Sequence, residues 1–308
     1  MGSRGALHAG VEAPAPTPQR RRRALALLLA TIDVAARRAP PALLLAIGRA
    51  IGELAALALP RLERRLTEHH RALLGVPPRS PRRFLRAVLR HYGLLAIEVL
   101  LQPRLVAGEL TRWIDTRELH RAVRRLHGAG APVLCTSGHF GNWEWAGAAA
   151  CRAGLPLEAV ARPLDDPLLD QFLVRRREEA GIVVHSKWNV VWALKKALDR
   201  GAAIAINADQ HARGPGAVRV RFGTRSAATF PTIAQLHLMT GAPILVGSVV
   251  RTRRGAPYRF VVLDVIEREG TERDSADIVR VLERVGDALT KGIAAYREQY
   301  LWTHRRWR

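Results

Sequence analysis

One histidine stands out by its neighbours. His139 lies in Pro132-Val133-Leu134-Cys135-Thr136-Ser137-Gly138-His139-Phe140-Gly141-Asn142-Trp143-Glu144-Trp145. This stretch begins as an apolar run of strand length, passes through a glycine-punctuated turn and continues in a helical pattern. A histidine leaving a buried strand, with a carboxylate in the first turn of the next helix, has the parts of a general base and its orienting acid. In this reading Glu144 hydrogen-bonds one imidazole nitrogen, sets the tautomer and raises the basicity of the other. Gly138 and Gly141 permit a tight or positive-φ turn and the close approach of a substrate. Asn142 caps the helix, and amides at the helix start are available to an oxyanion. The bland alternative is a capped helix carrying a solvent-exposed histidine. Cys135 reads as a buried strand cysteine, since alternation along a strand and then a turn does not bring it onto His139.

Further charged side chains sit where α/β ligand sites gather. Asp209 follows the apolar run 202–207, at a strand's carboxyl end. It anchors Arg162, lines an acceptor pocket, or stabilises a turn as many aspartates do. Arg219 and Arg221 alternate with Val218, Val220 and Phe222, so one strand face is basic. That face is either solvated or in contact with phosphate. The closing His304-Arg305-Arg306, with Trp302 and Trp307 around it, is either an aromatic-basic patch at a membrane interface or packing against the core. Packing suits Trp302 better.

Short apolar runs alternating with helical patterns from residue 132 onward must position these groups. Strands are expected at 132–136, 157–161, 182–184, 202–207, 217–222, 243–250 and 258–265. Helices are expected at 142–153, 166–180, 188–200, 229–240 and 274–297. The alternation predicts an α/β fold, a central mixed sheet flanked by helices. In the last helix Ile278, Leu282, Val285, Leu289 and Ile293 form a core-facing stripe. The expected organisation is a tail over 1–19, an apolar and basic helical membrane-associating segment over 20–60, and one domain over 61–308. That domain has a helical lead-in at 61–130 and an α/β core at 131–308. Two apolar segments, 24–36 and 42–59, precede the domain. They either pack on it as helices or dip into a membrane interface with their arginines on anionic headgroups. Arg49 and Glu53 within the second have ion-pair spacing.

Composition narrows the partners. The 308 residues carry a formal charge of +22, which calls for an anionic partner: nucleic acid, an anionic membrane or a phosphorylated substrate. No zinc finger, ribonucleoprotein-type aromatic strand or recognition helix supports nucleic acid. Two cysteines without metal-ligand or CxxC spacing indicate a reducing compartment.

Gly138-His139-Phe140-Gly141-Asn142-Trp143-Glu144 resembles the first block of the lysophospholipid acyltransferase superfamily. Its filling is similar to that of the bacterial lipid A secondary (lauroyl/myristoyl) acyltransferases. Arg162-Pro163-Leu164-Asp165-Asp166-Pro167, with Arg177 and Gly181 following, resembles that branch's second block. Ala208-Asp209-Gln210 through Phe222-Gly223, Gly241-Ala242-Pro243 and the closing Trp302-Thr303-His304-Arg305-Arg306-Trp307 continue the pattern. Asp166 stands where asparagine is usual, and Arg221 where an apolar residue is common. The resemblance implies a glycerolphosphate-acyltransferase-like fold and an O-acyltransferase with His139 as base and Glu144 holding it. Arg162 and Arg177 would bind phosphate on the acceptor or on the carrier's phosphopantetheine. The donor would be an acyl thioester of acyl carrier protein or coenzyme A. The acceptor would be an anionic glycolipid, first a lipid A precursor and alternatively a phosphatidylinositol mannoside or another glycolipid. No metal or other cofactor is required. A monomer on the cytoplasmic face of the inner membrane is expected. A catalytically dead scaffold is disfavoured by the intact His139/Glu144 pair.

Overall fold

The computed structural model describes residues 19–186, 190–214, 216–252, 256–267 and 275–307. The tail expected over 1–19 thus lies almost wholly outside the described residues, as do the first residues of the helices expected at 188–200 and 274–297. Four helices lead: α1 (Gln19–Arg38), α2 (Pro41–Ala58), α3 (Leu62–Leu74) and α4 (Pro81–Arg104). Pro41 and Pro81 open α2 and α4, where the missing N–H has no intrahelical partner to lose. Next come α5 (Leu110–Trp113), β1 (Ile114–Asp115) and α6 (Arg117–Leu126). The α/β alternation follows: β2 (Val133–Thr136), α7 (Trp143–Arg152), β3 (Leu157–Ala161), α8 (Pro167–Glu179), β4 (Val183–Ser186), α9 (Val191–Asp199) and β5 (Ala203–Ala205). The chain ends with β6 (Val218–Phe222), β7 (Arg225–Thr229), α10 (Thr232–Thr240), β8 (Ile244–Arg251), β9 (Tyr258–Ile266) and α11 (Ser275–Ala295).

Seven strands form the central sheet in the order β1-β9-β8-β2-β5-β3-β4. Every neighbouring pair is parallel except β8–β9, so the sheet is mixed and helices flank it, as the alternation predicted. Consecutive residues of the inner strands enter opposite cores. Leu134, Ile204 and Val246 pack on one face, Val133, Ala203 and Leu245 on the other. This is the two-residue period of a strand covered on both sides, and it explains the near-continuous apolar run of β8.

Two strands escaped the sequence pattern. β1 has two residues, too few for a period, and it is a strand inside a stretch that reads as helical. β7 reads Arg-Ser-Ala-Ala-Thr, without β-branched density, and exists by pairing with β6 in a separate two-stranded sheet. Gly223 at that hairpin's turn has φ +70°, and a Cβ there would come 2.3 Å from the Leu73 carbonyl oxygen of α3. Only glycine lets the hairpin sit on α3.

α2 lies against α4 by the same means. Gly48 and Gly52 of α2 face Gly93 of α4. A Cβ on Gly93 would come 2.1 Å from the Gly48 carbonyl, and one on Gly52 would come 2.4 Å from Arg90 Cα. Small residues one turn apart let two helix backbones touch. Glu53 bonds Arg86 (2.8 Å) and Arg90 of α4, so it does not form the expected pair with Arg49. The outer face of α2 exposes Leu43, Ile47, Ile51, Leu54 and Leu57, and α1 exposes Leu27, Leu28, Ile32 and Val34. α2 is the one helix among the described residues long and apolar enough to cross a bilayer.

Candidate active site

β2 and β5 are parallel neighbours, so the loops that follow them leave the sheet at the same edge. The β2 loop carries His139 and the β5 loop carries Asp209. The His139 imidazole Nδ1–H donates to Asp209 Oδ1 (2.8 Å), and the His139 backbone N–H donates to Oδ2 (2.7 Å). One carboxylate therefore fixes both the ring and the main chain. Gly138, at φ +56°, makes this approach possible, since a Cβ there would lie 3.2 Å from the Asp209 carboxylate. Gly141, at φ +62°, is equally constrained, because its Cβ would come 2.2 Å from the Val249 carbonyl oxygen. Asn142 caps α7 by accepting from the Trp145 N–H at 2.9 Å. Its amide in turn donates to the fully buried Glu98 of α4 at 2.7 Å, and the Tyr258 hydroxyl and Arg251 hold the same carboxylate.

The electrostatics suit a base. Burial opposes charging the His139 ring, but the charge and hydrogen bond of Asp209, with Glu144 further off, outweigh it. The ring's pKa lies above the usual imidazole value of about 6.5. For Asp209, burial would raise the pKa, yet the His139 contacts and the Arg306 charge bring it down to about 2. The His139 side chain is 18% exposed and that of Asp209 2%, so the ring is reachable while its orienting acid is sealed. With Nδ1 committed, Nε2 is left as the acceptor.

The expected partner of His139 is thereby corrected. Glu144 does not bond the imidazole. It forks onto Arg177 of α8, with Nε to Oε2 at 2.9 Å and Nη2 to Oε1 at 2.7 Å, and also accepts from the Trp143 indole at 3.1 Å. The Trp143 ring lies edge-on to His139, with centroids 5.0 Å apart, so Glu144 adds negative charge to the site without touching the ring. Asp209 holds the position because it arrives from the adjacent strand, a contact that no spacing within 139–144 encodes. Of the three consecutive arginines, Arg177 reaches the site. Arg176 is buried, bonded to Asp33 of α1 and to Glu179, and lies over the Phe172 ring.

The remaining predicted residues are spread more widely. Arg162 is exposed after β3 and pairs with Asp165 at 2.9 Å, so Asp209 does not anchor it. Asp166 caps α8 through the Leu168 and Leu169 N–H groups, a role an asparagine in its place would fill as well. Arg219 and Arg221 lie on the exposed face of β6, with Arg221 clamped to Asp287 of α11 at 2.7 and 2.8 Å. The backbone N–H groups of Gly141 and Asn142 donate to the Gln299 and Val249 carbonyls, each at 2.6 Å. These two amides are therefore not available to an oxyanion. Among the described residues no cluster of three His, Cys, Asp or Glu side chains has the geometry to hold a metal.

The closing block is interior. The Leu301 N–H donates to the His139 carbonyl at 3.0 Å, and Tyr300 is buried with its hydroxyl against Asp209. Trp302 is fully buried among His70, Phe84 and Tyr300. The buried Arg306 guanidinium donates to the Gln210 and Ala228 carbonyls and the Thr229 hydroxyl. His304 Nε2 accepts the His211 N–H at 2.9 Å, and burial holds the His304 pKa down to about 4. Glu98, Gln210 and Tyr300 thus support the site without having been singled out from sequence, and of these only Gln210 lies in a block that carries the resemblance. Arg306, read as either interfacial or packed, is packed.

The chain matches the family model described as bacterial lipid A biosynthesis acyltransferase over residues 17–308. It is 25% identical over 272 residues to the lipid A biosynthesis palmitoleoyltransferase of Escherichia coli (strain K12), covering 85% of this chain and 84% of that protein. It has the same identity and coverage with the lipid A biosynthesis acyltransferase of Shigella flexneri. With the family model matched over nearly its whole length, the chain belongs to the bacterial lipid A biosynthesis acyltransferase family and is an acyltransferase.

Proposed function

We propose that the protein moves a fatty acyl chain from an acyl thioester, of acyl carrier protein or coenzyme A, to a hydroxyl of a phosphorylated lipid A precursor. The observation that carries this reading is the Asp209–His139 pair, which leaves Nε2 as a base at the mouth of the sheet. The acceptor hydroxyl gives its proton to Nε2 while its oxygen attacks the thioester carbonyl. The tetrahedral intermediate then expels the thiol sulfur, which takes the proton back from Nε2. Asp209 holds the ring and stabilises the imidazolium formed in between. The transfer is direct between two bound substrates, and these residues carry it without a metal or other cofactor. Arg177, anchored by Glu144 and partly exposed, retains N–H groups for a phosphate, and the exposed Arg162 adds a second cation beside α8.

The enzyme works at the cytoplasmic face of the inner membrane. The outward apolar faces of α1 and α2 and the charge of +22 support that placement on an anionic bilayer. The test is mass spectrometry of a lipid A precursor incubated with the purified protein and each acyl thioester. A gain of one acyl chain, absent with His139→Ala, is the expected result. No gain with either donor overturns the reading.

A further inference from the structure

Gln210 lies beside the base. Its side-chain nitrogen is 3.2 Å from His139 Nε2. Because His139 Nδ1–H is spent on Asp209, Nε2 presents a lone pair, and the group facing it must donate. The Gln210 amide NH2 is that donor. It therefore occupies the spot that an acceptor hydroxyl must enter to give up its proton.

The backbone on either side of this side chain is held in place. Asp209 is bound to His139, the Gln210 carbonyl accepts from the buried Arg306, and the His211 N–H donates to His304. Of Asp209, Gln210 and His211, only Gln210 has an exposed side chain unspent on structure. Two donors near it are committed to structure, since the Gly141 and Asn142 amides bond carbonyls, and two of the Arg177 nitrogens are forked on Glu144. An acyl transfer that builds negative charge on the thioester oxygen needs a positioned donor.

We propose that Gln210 is a second catalytic residue, capping the base in the resting site and donating to the oxyanion during transfer. The proposal rests on the reading of His139 as general base. The incoming hydroxyl displaces the Gln210 amide from Nε2, and its proton passes to that nitrogen. As the new C–O bond forms, the carbonyl π electrons move onto oxygen, and Gln210 Nε2–H donates to that oxyanion. When the C=O bond re-forms, the C–S bond breaks and the leaving sulfur takes the proton from Nε2. Gln210 exchanges only hydrogen-bond partners and loses no proton.

The experiment compares the full-length enzyme with Gln210→Ala, Gln210→Glu and His139→Ala, following thiol release from a defined acyl thioester in the presence of a lipid A precursor. Gln210→Ala is expected to lower kcat about 10²-fold, the scale for one lost oxyanion donor, with little change in KM. Gln210→Glu keeps the shape but has no N–H to give, so its loss is at least as large. Both variants keep the parent's unfolding temperature, because the side chain is exposed. If kcat of either variant stays near the parent value, or if the loss falls on KM alone, the proposal is overturned while an inactive His139→Ala leaves the base intact. If His139→Ala keeps its activity, the base reading fails and the role of Gln210 with it.

Discussion

The two sides of His139 are built differently. On one side the loop after β5 brings Asp209 to the ring, and the buried end of the chain braces it through Tyr300, His304 and Arg306. On the other side the first turn of α7 brings Glu144, which turns away to hold Arg177. Both carboxylates carry charge close to the same imidazole, but only one touches it. The contrast teaches that proximity in sequence supplies field, while contact with the ring comes from the neighbouring strand. In the proposed mechanism the braced side governs the base, and the α7 side governs what approaches it.

Substitutions can break this contrast. Asp209→Asn should lower kcat by about 10³- to 10⁴-fold, the scale seen when the acid behind a catalytic histidine becomes an amide and the ring is held in the wrong tautomer. A base must be neutral to act, so activity is lost as pH falls through the His139 pKa, which Asp209 holds above about 6.5. Removing that charge moves the acid limb of the kcat/KM profile to lower pH. A limb that stays in place would detach Asp209 from the base.

Arg306→Ala tests the brace. It strips two carbonyls and a hydroxyl of their buried donor, and should cost about 3 kcal/mol in urea unfolding. An unchanged midpoint would make the closing block a passenger. Glu144→Gln should act more gently, with kcat down about tenfold through a loosened Arg177 and an acid limb moved less than in Asp209→Asn. If its pH profile moves more than that of Asp209→Asn, the assignment of the two sides is reversed. The smallest effect on folding is expected at α2. Ile51→Ser with Leu54→Ser changes exposed side chains, so stability should stay within about 0.5 kcal/mol at each position, while sedimentation with anionic vesicles weakens. Undiminished, salt-insensitive sedimentation would mean that the membrane is met elsewhere.

Period and punctuation made much of this molecule readable from its residues. The strand–turn–helix around His139, the core stripe of α11 and the alternating strands follow from local chemistry: apolar period, glycine at positive φ, an asparagine cap. The elements that escaped, β1 and β7, have no period of their own and exist only because a partner strand pairs with them. Glu144 illustrates the limit at the site. Its spacing from His139 is local and visible, but Arg177 competes for the carboxylate from another helix, and a guanidinium fork outbids a single imidazole N–H.

By itself the chain determined that His139 stands on a glycine-framed turn at a strand's exit, that Asp209 follows another strand, and that the ends of the chain differ in character, apolar first and aromatic-basic last. The tertiary structure decided which carboxylate orients the ring, which of three consecutive arginines enters the site, and that Arg306 and Trp302 face inward while the leucines of α2 face out. The reason is physical: hydrogen bonds and burial join residues by strand order and packing, and strand order sets β5 beside β2 across about seventy residues of chain, a distance over which local pattern carries no signal.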